Sequence, residues 1–181
     1  MFSNSSFTDT NPGQEDDQTF AALDASGATV TLFGGGDGSD TAWTAALVGA
    51  DYLVFPEMVS SAWSPGGTSA MSDAAAQVVK DFINAGGHVI FTGAYTAVDF
   101  FSFFSGLDYS GAFSTSAPTG PYAIQGVNAA LPSELAAVDY SGDLIDFGSW
   151  STELKAPMTP LYVSASGGLA VGTWTLGAGT Y

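Results

Sequence analysis

The chain contains no cysteine and no arginine, and its only lysines are Lys80 and Lys155. The missing thiol excludes disulfides, thiolate zinc sites and a cysteine nucleophile together. The near absence of cationic side chains excludes nucleic acid as a partner, because displacing counterions from a phosphate backbone takes several Lys or Arg. An anionic membrane surface is excluded on the same ground. Histidine occurs once, as His88. No run of about 18 apolar residues is present, so no segment reads as spanning a bilayer. The opening MFSNSSFTDT lacks a basic leader region, and the reading expects no signal peptide there.

What the chain does contain is apolar and acidic. Of its 181 residues, 46% are hydrophobic and only 11% charged, against roughly 25% charged in an average domain. That is one domain's worth of chain with enough apolar surface for a full core. Eighteen acids leave a formal charge of −16. A self-repelling, solvated surface accounts for most of them, and hard carboxylate oxygens also suit calcium. A cysteine-free, acidic chain rich in Ser, Thr and Gly fits a secreted bacterial protein, with an extracellular or cell-surface location.

The pattern along the chain alternates strand and helix. Met1–Ser3 reads as the end of a strand, and Gln14–Asp24, with acids in its first turn, as a helix. Ala28–Phe33 is β-rich, and Asp40 is placed to cap a helix over Thr41–Val48. Asp51–Pro56 is a continuous apolar run, the mark of a strand covered on both faces. Ser72 or Asp73 caps a helix to about Ala85, with Val78, Val79, Phe82 and Ile83 at helical spacing. His88–Phe91 is the next strand. Ala97–Phe104 is a helix whose phenylalanines read as core filling. Beyond Gly106 the periodicity fades, and short strands are expected near Tyr122–Gln125, Leu144–Phe147, Pro160–Ser164 and Leu169–Thr175. A helical turn is expected from Leu131 to Glu134, and Ser166–Gly168 reads as a hairpin turn. Gly177–Tyr181 reads as a turn entering a strand that is cut short. Truncated strands at both ends predict open sheet edges, and with them either a homo-oligomer or filament or a chain excised from something larger.

Two groupings carry candidate chemistry. Gly35-Gly36-Asp37-Gly38-Ser39-Asp40 fits the first six positions of the calcium-binding nonapeptide, although Ala42 replaces the large aliphatic residue and a single copy cannot stack. If the strands are parallel, Asp9, Asp37, Asp40 and Glu57 all leave the same carboxyl edge, where clustered carboxylates would call for a cation. These four are the candidate metal ligands. A serine hydrolase would draw on Ser60, Ser61, Ser64 or Ser69, but no G-x-S-x-G elbow is present. Glu57 with Asp99 is the acid pair considered for glycoside cleavage.

The order of elements, with Gly35–Trp43, Ala50–Glu57, Val79–Gly87 and Gly177–Gly179 as the matching pieces, resembles the class I glutamine amidotransferase-like fold. It is similar to the modules of that kind found in large secreted bacterial proteins carrying RTX-type calcium repeats. The resemblance implies an α/β three-layer sandwich with a mostly parallel, flavodoxin-like central sheet. On that plan residues 1–181 are a single domain, with a parallel core over 1–106 and a smaller β-rich extension over 107–181 completing the sheet. The family's catalytic cysteine would fall in the turn Thr92-Gly93-Ala94-Tyr95, which has none, and no histidine follows His88. The expectation is a non-catalytic structural, adhesive or assembly module, stabilised by calcium if the acids converge. The alternatives are an atypical hydrolase of the same superfamily and a calcium-dependent glycan-binding module using Trp63, Trp150 or Trp174 as sugar platforms.

Overall fold

A computed structural model describes residues 1–93, 95–109, 122–124, 134–135, 158–163 and 169–181. It is a mixed α/β structure with four α-helices among the described residues. The helices are α1 (Glu15–Ala25), α2 (Asp40–Leu47), α3 (Asp73–Asn84) and α4 (Val98–Ser105), the last preceded by a 3-10 turn over Tyr95–Ala97. The strands are β1 (Tyr52–Phe55), β2 (His88–Phe91), β3 (Tyr122–Ile124), β4 (Glu134–Leu135), β5 (Met158–Val163), β6 (Leu169–Leu176) and β7 (Gly179–Thr180). Their order in the sheet is β1-β2-β7-β6-β5-β3-β4.

The sheet has two characters. β1 and β2 run parallel from Tyr52↔His88 to Phe55↔Phe91, and β2 runs parallel to β7. The pairs β7–β6, β6–β5, β5–β3 and β3–β4 are antiparallel. The sheet is thus mixed rather than mostly parallel. A helix returns the chain from β1 to β2, whereas β6 and β7 are joined by a tight turn that forces an antiparallel pair. Beside β1, Phe2 forms a parallel bridge to Phe33, and its N–H donates to the Val54 carbonyl at 2.9 Å. Residues 1–3 therefore lie between residues 31–33 and β1, and β7 lies between β2 and β6. Neither terminal segment forms an edge of the sheet, contrary to the open edges expected there.

Local chemistry explains most helix boundaries. The Ser72 hydroxyl accepts the Ala75 N–H at 3.1 Å and caps α3, with Asp73 in its first turn. Gly86, at φ 110°, then stops the helix in a backbone shape that only glycine adopts cheaply. The buried face of α3 is Ala75, Ala76, Val79 and Ile83. In α2 the cap is Ser39, whose hydroxyl accepts the Ala42 N–H at 3.2 Å, so Asp40 is the first helical residue and not the cap. Ala28–Phe33, expected as a strand, forms a single β-bridge, at Phe33 to Phe2. Glu134 lies in β4 and not in a helical turn, its backbone recruited by β3. Leu131–Ser133, Leu144–Phe147, Trp150 and Ser166–Gly168 lie outside the described residues.

Aromatic rings fill the core. Trp43 stacks on Phe2 at 5.8 Å and donates its indole N–H to the Ala70 carbonyl at 2.8 Å. Phe55 stacks on Phe91 at 5.0 Å, and Phe100, Phe101 and Phe104 of α4 are buried, as the core reading of that helix requires. Each such ring pair adds about 0.5–1.5 kcal/mol beyond its area. Tyr181 stacks on Trp174 at 5.6 Å and meets Phe104 edge-on at 5.1 Å. The turn into β7 is fitted against the end of α3, where the Ala178 N–H donates to the Asn84 carbonyl at 3.1 Å. A Cβ at Gly179 would overlap the backbone carbonyl oxygens of Gly87 and Ile83. Backbone cannot yield as a flexible side chain can. Gly179→Ala should therefore lower unfolding stability by at least about 1–3 kcal/mol in urea denaturation, whereas Gly106→Ala, in open space, should cost about 1 kcal/mol for its left-handed backbone alone.

Candidate functional site

In a sheet of this kind the carboxyl ends of the parallel strands are the first place to look for chemistry. Here they are Pro56-Glu57 after β1 and Thr92-Gly93 after β2. Glu57 lies against Gly93, where an added Cβ would come within 3.0 Å of the Glu57 Cγ. The glycine gives the carboxylate stem its seat.

The loop from Glu57 to Ser72 is pinned by its own polar groups. The Trp63 indole donates to the Asp73 carboxylate at 2.9 Å, and the Gly66 N–H reaches the same oxygen at 3.1 Å. Ser61 donates to the Trp63 carbonyl and Thr68 to the Ala62 carbonyl. The Ser60 hydroxyl donates to the Ser6 carbonyl at 3.1 Å. The hydroxyls of Ser60 and Ser61 are thus structural donors, each committed to a carbonyl. Trp63 and Trp174 are each only 4% exposed, so neither presents a face to a sugar.

Three of the four candidate ligands, Asp9, Asp37 and Asp40, are each turned to their own segment. Asp9 accepts the Asn11 side-chain amide at 2.6 Å and the Asn11 N–H at 3.1 Å. Asp37 accepts the Ser39 N–H at 3.0 Å, and its hydrogen bonds to Ser39 hold its carboxyl below the usual range. Asp40 accepts the Thr41 N–H at 2.8 Å. These are short-range turn contacts of the kind Asp makes at loops and helix starts. Among the described residues no three Asp, Glu or His side chains are grouped to hold a metal ion. Gly35–Asp40 serves instead as a close-packed turn, in which a Cβ on Gly35 would lie 2.6 Å from the Ala70 carbonyl oxygen. Asp99, in the first turn of α4, has its carboxyl pushed up by burial.

His88 begins β2, at the opposite edge from Glu57. Its Nδ1 lies 2.8 Å from the Thr180 hydroxyl, and its ring stacks on Tyr52 at 5.1 Å. The length of β1 separates the two edges by roughly 10 Å. His88 also borders a cavity of about 560 Å³, lined with Asp51, Tyr52, Phe82 and Gly87 among others.

One acid was not singled out by the sequence. Asp16 is 5% exposed, and it accepts the Ser3 hydroxyl at 2.6 Å and the Thr8 hydroxyl at 3.3 Å. It lies in the first turn of α1, where it ties the helix to the loop that follows residues 1–3. The run Glu15-Asp16-Asp17 reads as a solvated helix start, and nothing in its spacing marks the middle acid as the inward one.

Comparison with protein-family models, with curated proteins and with solved structures finds no match to this chain. With Asp9, Asp37 and Asp40 engaged locally and a charge of −16, the chain should respond to cations by general screening. Millimolar calcium should raise the melting temperature no more than magnesium at equal ionic strength. A calcium-specific rise of several degrees, abolished by Asp37→Asn or Glu57→Gln, would instead place a calcium site at this edge.

Proposed function

We propose that this chain is a non-catalytic structural, adhesive or assembly module of an extracellular bacterial protein, built on an amidotransferase-like α/β plan. The observation that carries the reading is the position of His88. The sole histidine is hydrogen-bonded to Thr180 and stacked on Tyr52 at the amino edge, about a strand's length from Glu57 and Thr92-Gly93. A general base must reach the proton it removes, within about 3 Å or through one water. No cysteine stands at the turn after β2, and the neighbouring hydroxyls of Ser60 and Ser61 are spent on backbone carbonyls.

The flavodoxin-like, three-layer form of the plan is supported by the order of the segments. Residues 31–33, residues 1–3, β1, β2 and β7 lie side by side. Phe2 turns to Trp43 of α2, while Ser3, of opposite parity, turns to Asp16 of α1. Side chains alternate faces along a strand, so α1 and α2 meet residues 1–3 from opposite faces. Such a scaffold hosts many functions, and the plan alone carries no activity.

Turnover decides between module and enzyme. The purified chain, screened with glutamine, ester and glycoside substrates, should hydrolyse none above buffer, and Glu57→Gln should change nothing. A measurable kcat that falls at least about tenfold in Glu57→Gln would make the chain an enzyme.

A further inference from the structure

The cavity beside His88 measures about 560 Å³, within the range of roughly 300–1,000 Å³ usual for small-molecule sites. Two internal turns wall it, the one from α2 into β1 and the one from α3 into β2. The backbone ties these turns together: the His88 N–H donates to the Asp51 carbonyl at 3.0 Å, and Tyr52↔His88 is the first rung of the parallel pair. Gly86 and Gly87 close the second turn by donating to the Ile83 and Phe82 carbonyls, both at 3.0 Å. The Phe82 ring is seated on Gly87, where an added Cβ would overlap it. The walls are therefore held in place before any ligand arrives.

The charges around it have one sign. α2 and α3 both end at this edge, and a helix C-terminus carries about half a negative charge. Neither helix has a basic residue in its last turn to offset it. Asp51, which is exposed, adds a carboxylate to the lining. The one lysine among the described residues, Lys80, is committed elsewhere: it donates to the Phe103 carbonyl at 2.6 Å and lies 4.6 Å from the centre of the Phe103 ring. The remaining lining is aromatic and apolar. Tyr52 is 58% exposed and stacks on His88 at 5.1 Å, and Phe82 and Leu47 complete the wall. In the tautomer that donates from Nδ1 to Thr180, the Nε2 of His88 is an acceptor.

We propose that this cavity binds a small primary amine as its ammonium ion, with the charged head between Asp51 and the Tyr52–His88 pair and the apolar body against Phe82 and Leu47. A carboxylate and an imidazole nitrogen accept from the ammonium protons, and an exposed aromatic face attracts the charge. A divalent metal ion is the poorer occupant. It needs several oxygen ligands, and this lining offers one carboxylate, with no group of three acids or histidines suited to a metal among the described residues. An anion would meet Asp51 and two helix C-termini. The site goes beyond the module reading and does not rest on it, since the turnover screen concerns the carboxyl edge.

The probe is phenethylamine, protonated at neutral pH, titrated into the whole chain and followed by backbone amide chemical shifts. Gly86, Gly87 and His88 should shift saturably. The uncharged analogue 2-phenylethanol should bind about tenfold more weakly. Asp51→Asn should weaken amine binding about two- to fivefold, the range of an exposed ion pair. Asp24→Asn, an equal change of net charge at an exposed position on α1, should leave it unchanged. Both substitutions are at the surface and should keep the melting temperature. The absence of saturable shifts at these three amides up to about 10 mM amine would overturn the proposal, as would equal binding of the alcohol. Equal losses in Asp51→Asn and Asp24→Asn would also overturn it, since they would show only the general pull of a chain with a charge of −16.

Discussion

β7 carries two different hydrogen-bond ladders at once, and the sheet depends on it. On one side it is the parallel neighbour of β2, and on the other the antiparallel neighbour of β6. Without it the helix-covered half of the sheet and the hairpin half would share no backbone bond among the described residues. Gly177, at φ 60°, makes the turn that brings it in, and Gly179 allows its backbone to touch the end of α3. Tyr181 then closes the joint with its ring, stacked on Phe101 and Trp174 and edge-on to Phe104. Burial, and then the charge of Tyr109, push its phenol well above the ordinary tyrosine range. The side chain is held as a neutral, apolar body.

The same economy governs the carboxyl edge. Ser60, Ser61 and Trp63, which sequence reading offers as nucleophiles or a sugar platform, donate to backbone carbonyls or to the Asp73 carboxylate, and Asp9, Asp37 and Asp40 accept from N–H groups of their own segments. The amino edge holds the histidine, but there it meets a hydroxyl and a tyrosine ring. His88 and Glu57 thus lie at opposite ends of the parallel pair β1–β2.

The parts legible in the sequence were those fixed by short-range physics. β1, α3, β2 and α4 announce themselves through apolar runs, a capping serine and the glycines Gly86 and Gly106, and each falls within a residue or two of its expected bounds. What was lost depends on partners distant in sequence. Whether Ser39 or Asp40 caps α2 is decided by geometry between two residues equally able to do it. Residues 28–33 have strand composition, but a strand also needs a pairing partner, and the one bridge formed is Phe2↔Phe33. Glu134 sits in a helix-start pattern that β3 overrides. Asp16 is buried where Ser3 and Thr8 reach it, and Asp9, Asp37 and Asp40 each accept an N–H from a residue one or two positions on. Those local hydrogen bonds depend on loop geometry that residue type alone does not give.

The central claim is that a two-residue strand, β7, is a joint in the core. Native-state amide exchange tests it directly, because it reports how much unfolding each amide needs before it is released. The Tyr181 amide, bonded to the Trp174 carbonyl at 2.9 Å, should exchange only through global unfolding, at the same free energy as Val79 in the buried face of α3. Exchange of Tyr181 near the unprotected rate while Val79 stays protected would contradict the account.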